Sequence, residues 1–243
     1  MDTDKKRIEE RIEHYWDARS RDFGEKRRRE LAGVNAQAWR SLFARYLPGN
    51  RQLHILDIGT GPGFFSILLS AMGHRCLGID MSADMLREAA KNSVGLMPMP
   101  RYMKMNAQEL HFPDMSFDVV VSRNLTWTLP HVSAAYREWV RVLRPGGILL
   151  NFDADYGKVT FAHQIKPAGV HAMLSAACIE ECDSIKSMLA ISSKDRPAWD
   201  AATLEELGME IVVERDIRKV VCRDERLPAD DVPFFAIYAK KRE

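Results

Sequence analysis

The chain has few cysteines, no long hydrophobic run and no surplus of charge of either sign. Four cysteines in 243 residues (Cys76, Cys178, Cys182, Cys222) are too sparse for a disulfide framework, which a chain of this length does not need. The opening MDTDKKRIEE alternates in charge and has no apolar h-region, so it does not read as a secretory signal. The longest nearly apolar stretch, Gly61–Gly73, falls well short of the roughly 18 residues that suggest a membrane span. Thirty-five Lys+Arg against 34 Asp+Glu leave a net charge of +1. That balance argues against a protein that coats nucleic acid. An apolar fraction of 46% is ordinary for a globular chain and speaks against disorder. The expectation is a soluble cytoplasmic protein of one domain, or one domain with an elaboration.

Residues 1–47 read as polar and helical. Ile8, Ile12, Tyr15, Trp16 and Arg19 fall at helical spacing, and a second helix is expected from about Glu25 to Leu47, ended by Pro48-Gly49-Asn50. The run Lys26-Arg27-Arg28-Arg29 sits in a segment with nine acidic and ten basic residues among the first thirty. It is expected to be a solvated helix face and not a nucleic-acid patch.

From residue 53 short apolar runs alternate with amphipathic helices. Strands are expected at Leu53–Ile58, Arg75–Ile79, Arg101–Met105, Phe117–Ser122, Gly147–Phe152, Met209–Arg215 and Pro233–Ala239. Helices are expected at Phe64–Met72, after an N-cap at Ser82, at Ser133–Leu143 and at Trp199–Leu207, the last closed by Gly208. Strands separated by helices predict βαβ units, hence a mainly parallel sheet covered on both faces. Residues 154–197 interrupt the alternation. They read as mostly helical, especially Pro167–Ile191, and as an insertion over the ligand edge of the sheet. Arg218–Asp231 reads as a charged loop.

The strongest local signal is Leu56-Asp57-Ile58-Gly59-Thr60-Gly61-Pro62-Gly63, which follows a strand and opens a helix. Glycines there permit a tight turn and a close ligand, at the carboxyl end of a strand where open α/β sheets bind ligands. Asp80 ends the next strand, placed to accept from ribose hydroxyls. The spacing is GxGxG, with Phe64 where a dinucleotide fingerprint has its third glycine. Asp57 would also repel a pyrophosphate, whereas an acid there suits a ligand with a cationic amine. S-adenosylmethionine (SAM) is therefore favoured over NAD or FAD, with a plain strand-turn-helix as the alternative.

LDIGTGPG, then GIDMS, then NAQELHFPDMSFDVVVSRN, then RVLRPGG resemble the successive motifs of class I SAM-dependent methyltransferases. More narrowly they are similar to the small-molecule branch that includes the quinone-biosynthesis methyltransferases. The likeness covers residues 53–152 closely and the end strands loosely. It implies an α/β, Rossmann-like, doubly wound seven-stranded sheet, mostly parallel with the last strand antiparallel. A helical N-terminal lid (1–47) would precede the catalytic domain (48–243), with 154–197 as a helical substrate cap after the fifth strand. Asp57, Gly59, Thr60, Gly61 and Gly63 would line the methionine part of SAM, Asp80 would bind the ribose and Met81 would pack on adenine. Asn106, Ala107 and Gln108 stand where the family reads the adenine amine, with Asn106 replacing the usual Asp. An amide oxygen accepts there without charge assistance. Asn124 or the Leu125 carbonyl would contact the cofactor, and the Asn/Asp-Pro-Pro-Tyr pattern of amide methylation is absent. Tyr15 either reaches the SAM carboxylate or packs its helix on the domain. Trp16 either walls off the substrate or does the same packing.

The activity so implied is methyl transfer to a small organic acceptor, leaving S-adenosylhomocysteine (SAH). The alternatives are a SAM-binding or non-methylating enzyme on the same scaffold, or a nucleic-acid or protein methyltransferase. In-line displacement needs a general base only where the acceptor loses a proton on attack. His131, Asp153, Asp155 and Tyr156 lie near strand ends, with His131 more suited to a helix start. Trp127 and Tyr156 are expected in the substrate pocket with Trp16. His171, Cys178 and Cys182 share a helical face near His163. A buried apolar helix face over the pocket is the more economical reading of them than a metal or metalloid site, so no metal is expected.

Overall fold

Alternating apolar runs and amphipathic helices assemble one sheet with helices on both faces. The computed structural model describes residues 2–49, 51–164, 175–227 and 231–243. In chain order the elements are α1 (Asp2–Ala32), α2 (Val34–Tyr46), β1 (His54–Ile58), α3 (Phe64–Ala71), β2 (Arg75–Asp80), α4 (Ala83–Asn92), β3 (Arg101–Lys104), β4 (Phe117–Arg123), α5 (Val132–Val142), β5 (Leu143–Ala154), α6 (Ala176–Met188), α7 (Ala198–Glu206), β6 (Met209–Glu214), α8 (Arg218–Val221) and β7 (Phe234–Lys241). The sheet runs β3-β2-β1-β4-β5-β7-β6. β3, β2, β1, β4 and β5 pair in parallel, and β7 lies antiparallel between β5 and β6. The expected doubly wound, seven-stranded sheet with an antiparallel last strand is what forms.

β1 and β4 are buried along almost their whole length because helices cover both of their faces. Against them pack Trp39 and Phe43 of α2, Phe65 of α3 and Phe152 of β5. Trp39 meets Phe65 and Phe152 edge-on, with ring centroids 4.8 and 4.9 Å away. The chain steps outward from β1 to β3 and then returns to β4. The carboxyl ends of β1 and β4 therefore flank a crevice at the reversal of strand order.

Several expected boundaries differ, and β5 begins at Leu143 and not at Gly147. The N-terminal helices break at Gly33, not before Glu25. α1 continues through Gly24, where a Cβ would lie 2.9 Å from Glu88 Oε2 of α4. The glycine costs the helix about 1 kcal/mol of propensity and permits the close crossing. Within Pro167–Ile191 the described helix is α6, Ala176–Met188, and residues 165–174 lie outside the described residues. The Arg218–Asp231 segment, expected as a loop, contains the short α8.

Ser82 caps α4 by accepting from Met85 N at 3.0 Å, and its hydroxyl donates to Asp17 of α1. Ser82→Ala is expected to lower stability by about 1–2 kcal/mol, measured by urea unfolding. An unchanged midpoint would show that the cap is dispensable.

Candidate active site

β1 delivers Asp57 to the crevice, 2% exposed. Its Oδ2 accepts from Thr60 Oγ1 (2.6 Å), Ser66 N (2.9 Å) and Ser66 Oγ (2.7 Å). One carboxylate oxygen thus pins the glycine loop to the start of α3. No described residue bonds Oδ1. Burial pushes the carboxyl above its ordinary range, against the three donors.

Two glycines are required by the turn. Gly59 sits at φ +66, where a Cβ would meet both methyl groups of Leu125 at 2.8 Å, and Gly61 sits at φ +51. Asp80, at the end of β2, accepts from Gly61 N through Oδ2 and from Ser82 N through Oδ1, each at 2.9 Å. It ties the loop after β1 to the loop after β2. Burial pushes its carboxyl up to about 6, against those two donors.

Most of the sequence-predicted cofactor residues meet in one cavity over these loops. Asp57, Gly59, Thr60, Gly61, Asp80, Met81, Asn106, Ala107, Gln108, Asn124 and Leu125 all line it. Asn124 is held at φ +54 with its Oδ1 buried and without a partner among the described residues. Glu9 of α1 was not foreseen. Its Oε1 accepts from Asn106 Nδ2 at 3.1 Å and Gln108 Nε2 at 2.8 Å, while Asn106 Oδ1 turns to Gln108 N at 3.0 Å. A carboxylate therefore stands beside the position where the resemblance had Asn in place of Asp. It comes from a helix about a hundred residues away, a pairing that local motif spacing cannot reveal.

A second cavity of about 480 Å³ adjoins the first. Trp16, Phe23, Arg27, Arg123 and Asn124 line both. Trp127 and Tyr156, expected at the substrate, line the second cavity together with Phe161. Trp127 stands edge-on to Trp16 and Tyr156 and donates from Nε1 to the Asn124 carbonyl at 3.0 Å.

Several expected positions fall elsewhere. Tyr15 lines only the second cavity, and its buried hydroxyl accepts from Arg19 Nη1 at 3.0 Å. Gly63, at φ +86, is the N-cap of α3 and lines neither cavity. A Cβ there would lie 2.5 Å from the Tyr102 hydroxyl, so its glycine serves packing. His131 is the exposed N-cap residue of α5, outside both cavities, and its backbone N–H donates to Gln108 Oε1. Asp153 is fully buried beside Arg196 and accepts from Thr126 Oγ1 and Trp127 N. It holds structure where a base for the acceptor was expected. Asp155 also lines neither cavity and meets Lys158 at 3.4 Å.

The basic run divides. Arg28 and Arg29 are exposed and pair with Glu25, but Arg27 is buried and Lys26 half-buried, both lining the second cavity. A face expected to be solvated thus turns half of its charge inward. Cys178 and Cys182 lie on α6, and His171 lies outside the described residues, as does the His163 side chain.

Residues 56–151 match the family described as "Methyltransferase domain". That stretch of the chain reads as a methyltransferase domain. It is 35% identical over 138 residues to a phosphatidylethanolamine N-methyltransferase of Cereibacter sphaeroides, a match covering 54% of this chain and 60% of that one. It is 33% identical over 123 residues to the ubiquinone/menaquinone biosynthesis C-methyltransferase UbiE of Bartonella quintana, covering 47% and 46%. The matched region is thus about half the length of these relatives. A SAM-dependent methyltransferase of Mesorhizobium loti has the same fold, with TM-score 0.60 and 20% identity over 86% of this chain and all of that one. The methyltransferase domain implies SAM as cofactor. Among the described residues no helix is long and apolar enough to cross a membrane.

Proposed function

We propose that the protein transfers a methyl group from SAM to a small organic acceptor, with the donor in the first cavity and the acceptor in the second. The shared wall carries this reading, because Trp16, Arg123 and Asn124 face both spaces. The lining of the first cavity suits the donor's polar groups: Asp57 keeps an unbonded Oδ1, Asn124 an orphan Oδ1, and Gly59 a space that a side chain would close. Asp80 would accept from the ribose hydroxyls and Asp57 from the amino group. Met81, Ala107 and Gln108 would surround adenine, with Glu9 as the nearby acid. The bound sulfonium supplies an electrophilic methyl carbon, whose bond to sulfur breaks as the acceptor's electron pair forms the new bond.

The residues of this chain contribute positioning and exclusion of water. α1 and the described part of 154–197 close over the acceptor cavity: Arg11 donates to both oxygens of Glu181 of α6 at 2.8 Å, and Trp16, Trp127, Tyr156 and Phe161 form an aromatic wall. We place the protein in the cytoplasm, where SAM is made. The test is incubation of the purified protein and methyl-labelled SAM with a cell extract. Label is expected in an extractable fraction of low mass. Label confined to protein or nucleic acid, or none despite SAM binding, would overturn the reading.

A further inference from the structure

Five cations and three carboxylates line the second cavity, and four of those cations and one of the carboxylates, Glu30, come from α1 and the end of β4. Arg19, Lys26 and Arg27 come from one face of α1, and Arg123 from the end of β4. Glu30 pairs with Arg27 and with Arg123, the latter at 2.9 Å. Burial opposes its ionisation, but the two guanidiniums outweigh that and hold its carboxyl down at about 2. Glu30 is therefore an anion committed to two of the four.

The other charges around the cavity are already partnered or face solvent. Arg218 pairs with Asp216 and Asp224 with Arg226, while Glu225 is exposed. Arg19 meets the exposed Asp22 at 3.5 Å. Burial keeps the Tyr15 hydroxyl and the Cys178 thiol, both near Arg19, in their neutral forms. No histidine lines the cavity among the described residues.

A cationic surplus remains. Arg19 is 4% exposed with its Nε unpartnered, and the Arg123 Nε is likewise buried without a partner among the described residues. Lys26 makes no hydrogen bond or ion pair among them, and burial, then Arg27, push its ammonium down to about 7. Cations drawn in from solvent and only partly matched by counter-anions are costly unless a ligand completes them. Arg27 and Arg123 also line the first cavity, so the donor's own carboxylate falls within their compass. Arg19 and Lys26 line only the second.

Resting on the donor and acceptor placement proposed above, we infer that the acceptor is a small organic anion with a flat apolar body, its carboxylate or phosphate set against Arg19 and Lys26 and its body among Trp127, Tyr156 and Phe161. The cavity volume lies within the range of small-molecule sites. Guanidinium and ammonium groups supply charge-assisted donors to either anion. The near-neutral chain as a whole hides an acceptor chamber with a local surplus of positive charge.

The test titrates 2-naphthoate, 2-naphthyl phosphate and neutral 2-naphthamide into the SAH-saturated protein, followed by calorimetry. At least one anion is expected to bind tenfold or more tightly than the amide, and the tighter anion identifies the group. Lys26→Met should weaken naphthoate at least fivefold, leave the amide unchanged and retain SAH binding, which reports a folded protein. Arg19→Gln should act in the same direction. Naphthoate affinity should fall between pH 6 and 8.5 as Lys26 loses its proton, and this slope should vanish in the Lys26 variant. Equal affinity of anions and amide, an anion preference untouched by both variants, or no probe binding to the SAH complex would overturn the inference while leaving the donor site standing. Failure of SAH itself to bind would overturn both.

Discussion

Replacing Arg196 by Met is expected to lower the unfolding free energy by about 3–5 kcal/mol, the cost of removing one partner from a buried ion pair. The Arg196 side chain is 1% exposed, and the Asp153 and Asp200 side chains against it are 0% exposed. Its Nε and Nη2 donate to the two oxygens of Asp200 at 2.9 and 2.8 Å, a bidentate fork, and Nη2 also reaches Thr126 Oγ1. Tyr136 donates to Asp200 at 2.6 Å, and Asn151 donates to Tyr136 at 2.9 Å. Met would fill the volume and leave two buried carboxylates without a cation. The site shares the damage, because Asp153 also holds the Thr126–Trp127 turn that carries Trp127 into the second cavity.

The pH dependence of that loss has a definite sign. Burial already raises the Asp153 carboxyl, and the Arg196 guanidinium opposes the rise. Without the arginine the carboxyl rises further above its unfolded value, so the folded variant binds the proton more tightly than the unfolded chain. The deficit should therefore shrink as pH falls from 7 towards 5. Urea unfolding of both proteins at the two pH values measures it. A loss below about 1 kcal/mol at pH 7, against the 3–5 expected for a broken buried pair, would contradict the role given to Arg196.

Asp80→Ala is expected to weaken SAH binding by about 1–3 kcal/mol, roughly five- to 150-fold. Two effects combine: the ligand hydroxyls lose their acceptor, and the Gly61 and Ser82 amides lose the carboxylate that ties their loops. With its carboxyl at about 6 in the free protein, Asp80 is largely ionised at pH 7. Ligand hydroxyls favour the charged form, so binding expels a proton at lower pH, and SAH affinity should fall as pH drops through 6 towards 5. Asp80→Asn should flatten that slope in part. Asp57, raised by burial in the same cavity, supplies the remainder. Calorimetric titration at pH 5, 6 and 7 reads both effects. Affinity unchanged in the alanine variant would show that the carboxylate does not meet the ligand.

The donor cleft was legible because its parts are local. A strand, a glycine turn and an acid at the end of the next strand lie within about 25 consecutive residues, and parallel pairing of β1 with β2 brings them together. Glu9 and Arg196 were not legible, since each meets partners that only the fold supplies. The acceptor chamber was half legible. The stripe Ile8, Ile12, Tyr15, Trp16 and Arg19 was visible, and the same 3.6-residue period continues through Phe23, Arg27 and Glu30. The expectation of a second helix from about Glu25 stopped it short, whereas α1 runs on through Gly24, where it crosses α4. Charge balance then disguised Lys26 and Arg27 as solvated. Net charge averages over a helix, and burial does not.

A crystal structure of the protein with SAH tests the central claim most directly, that donor and acceptor occupy adjoining cavities sharing the Trp16–Asn124 wall. The ribose is expected against Asp80, the amino group against Asp57, and the sulfur facing the second cavity beside Asn124. SAH bound elsewhere, or bound with its sulfur turned away from the cavity lined by Trp127 and Tyr156, would contradict it.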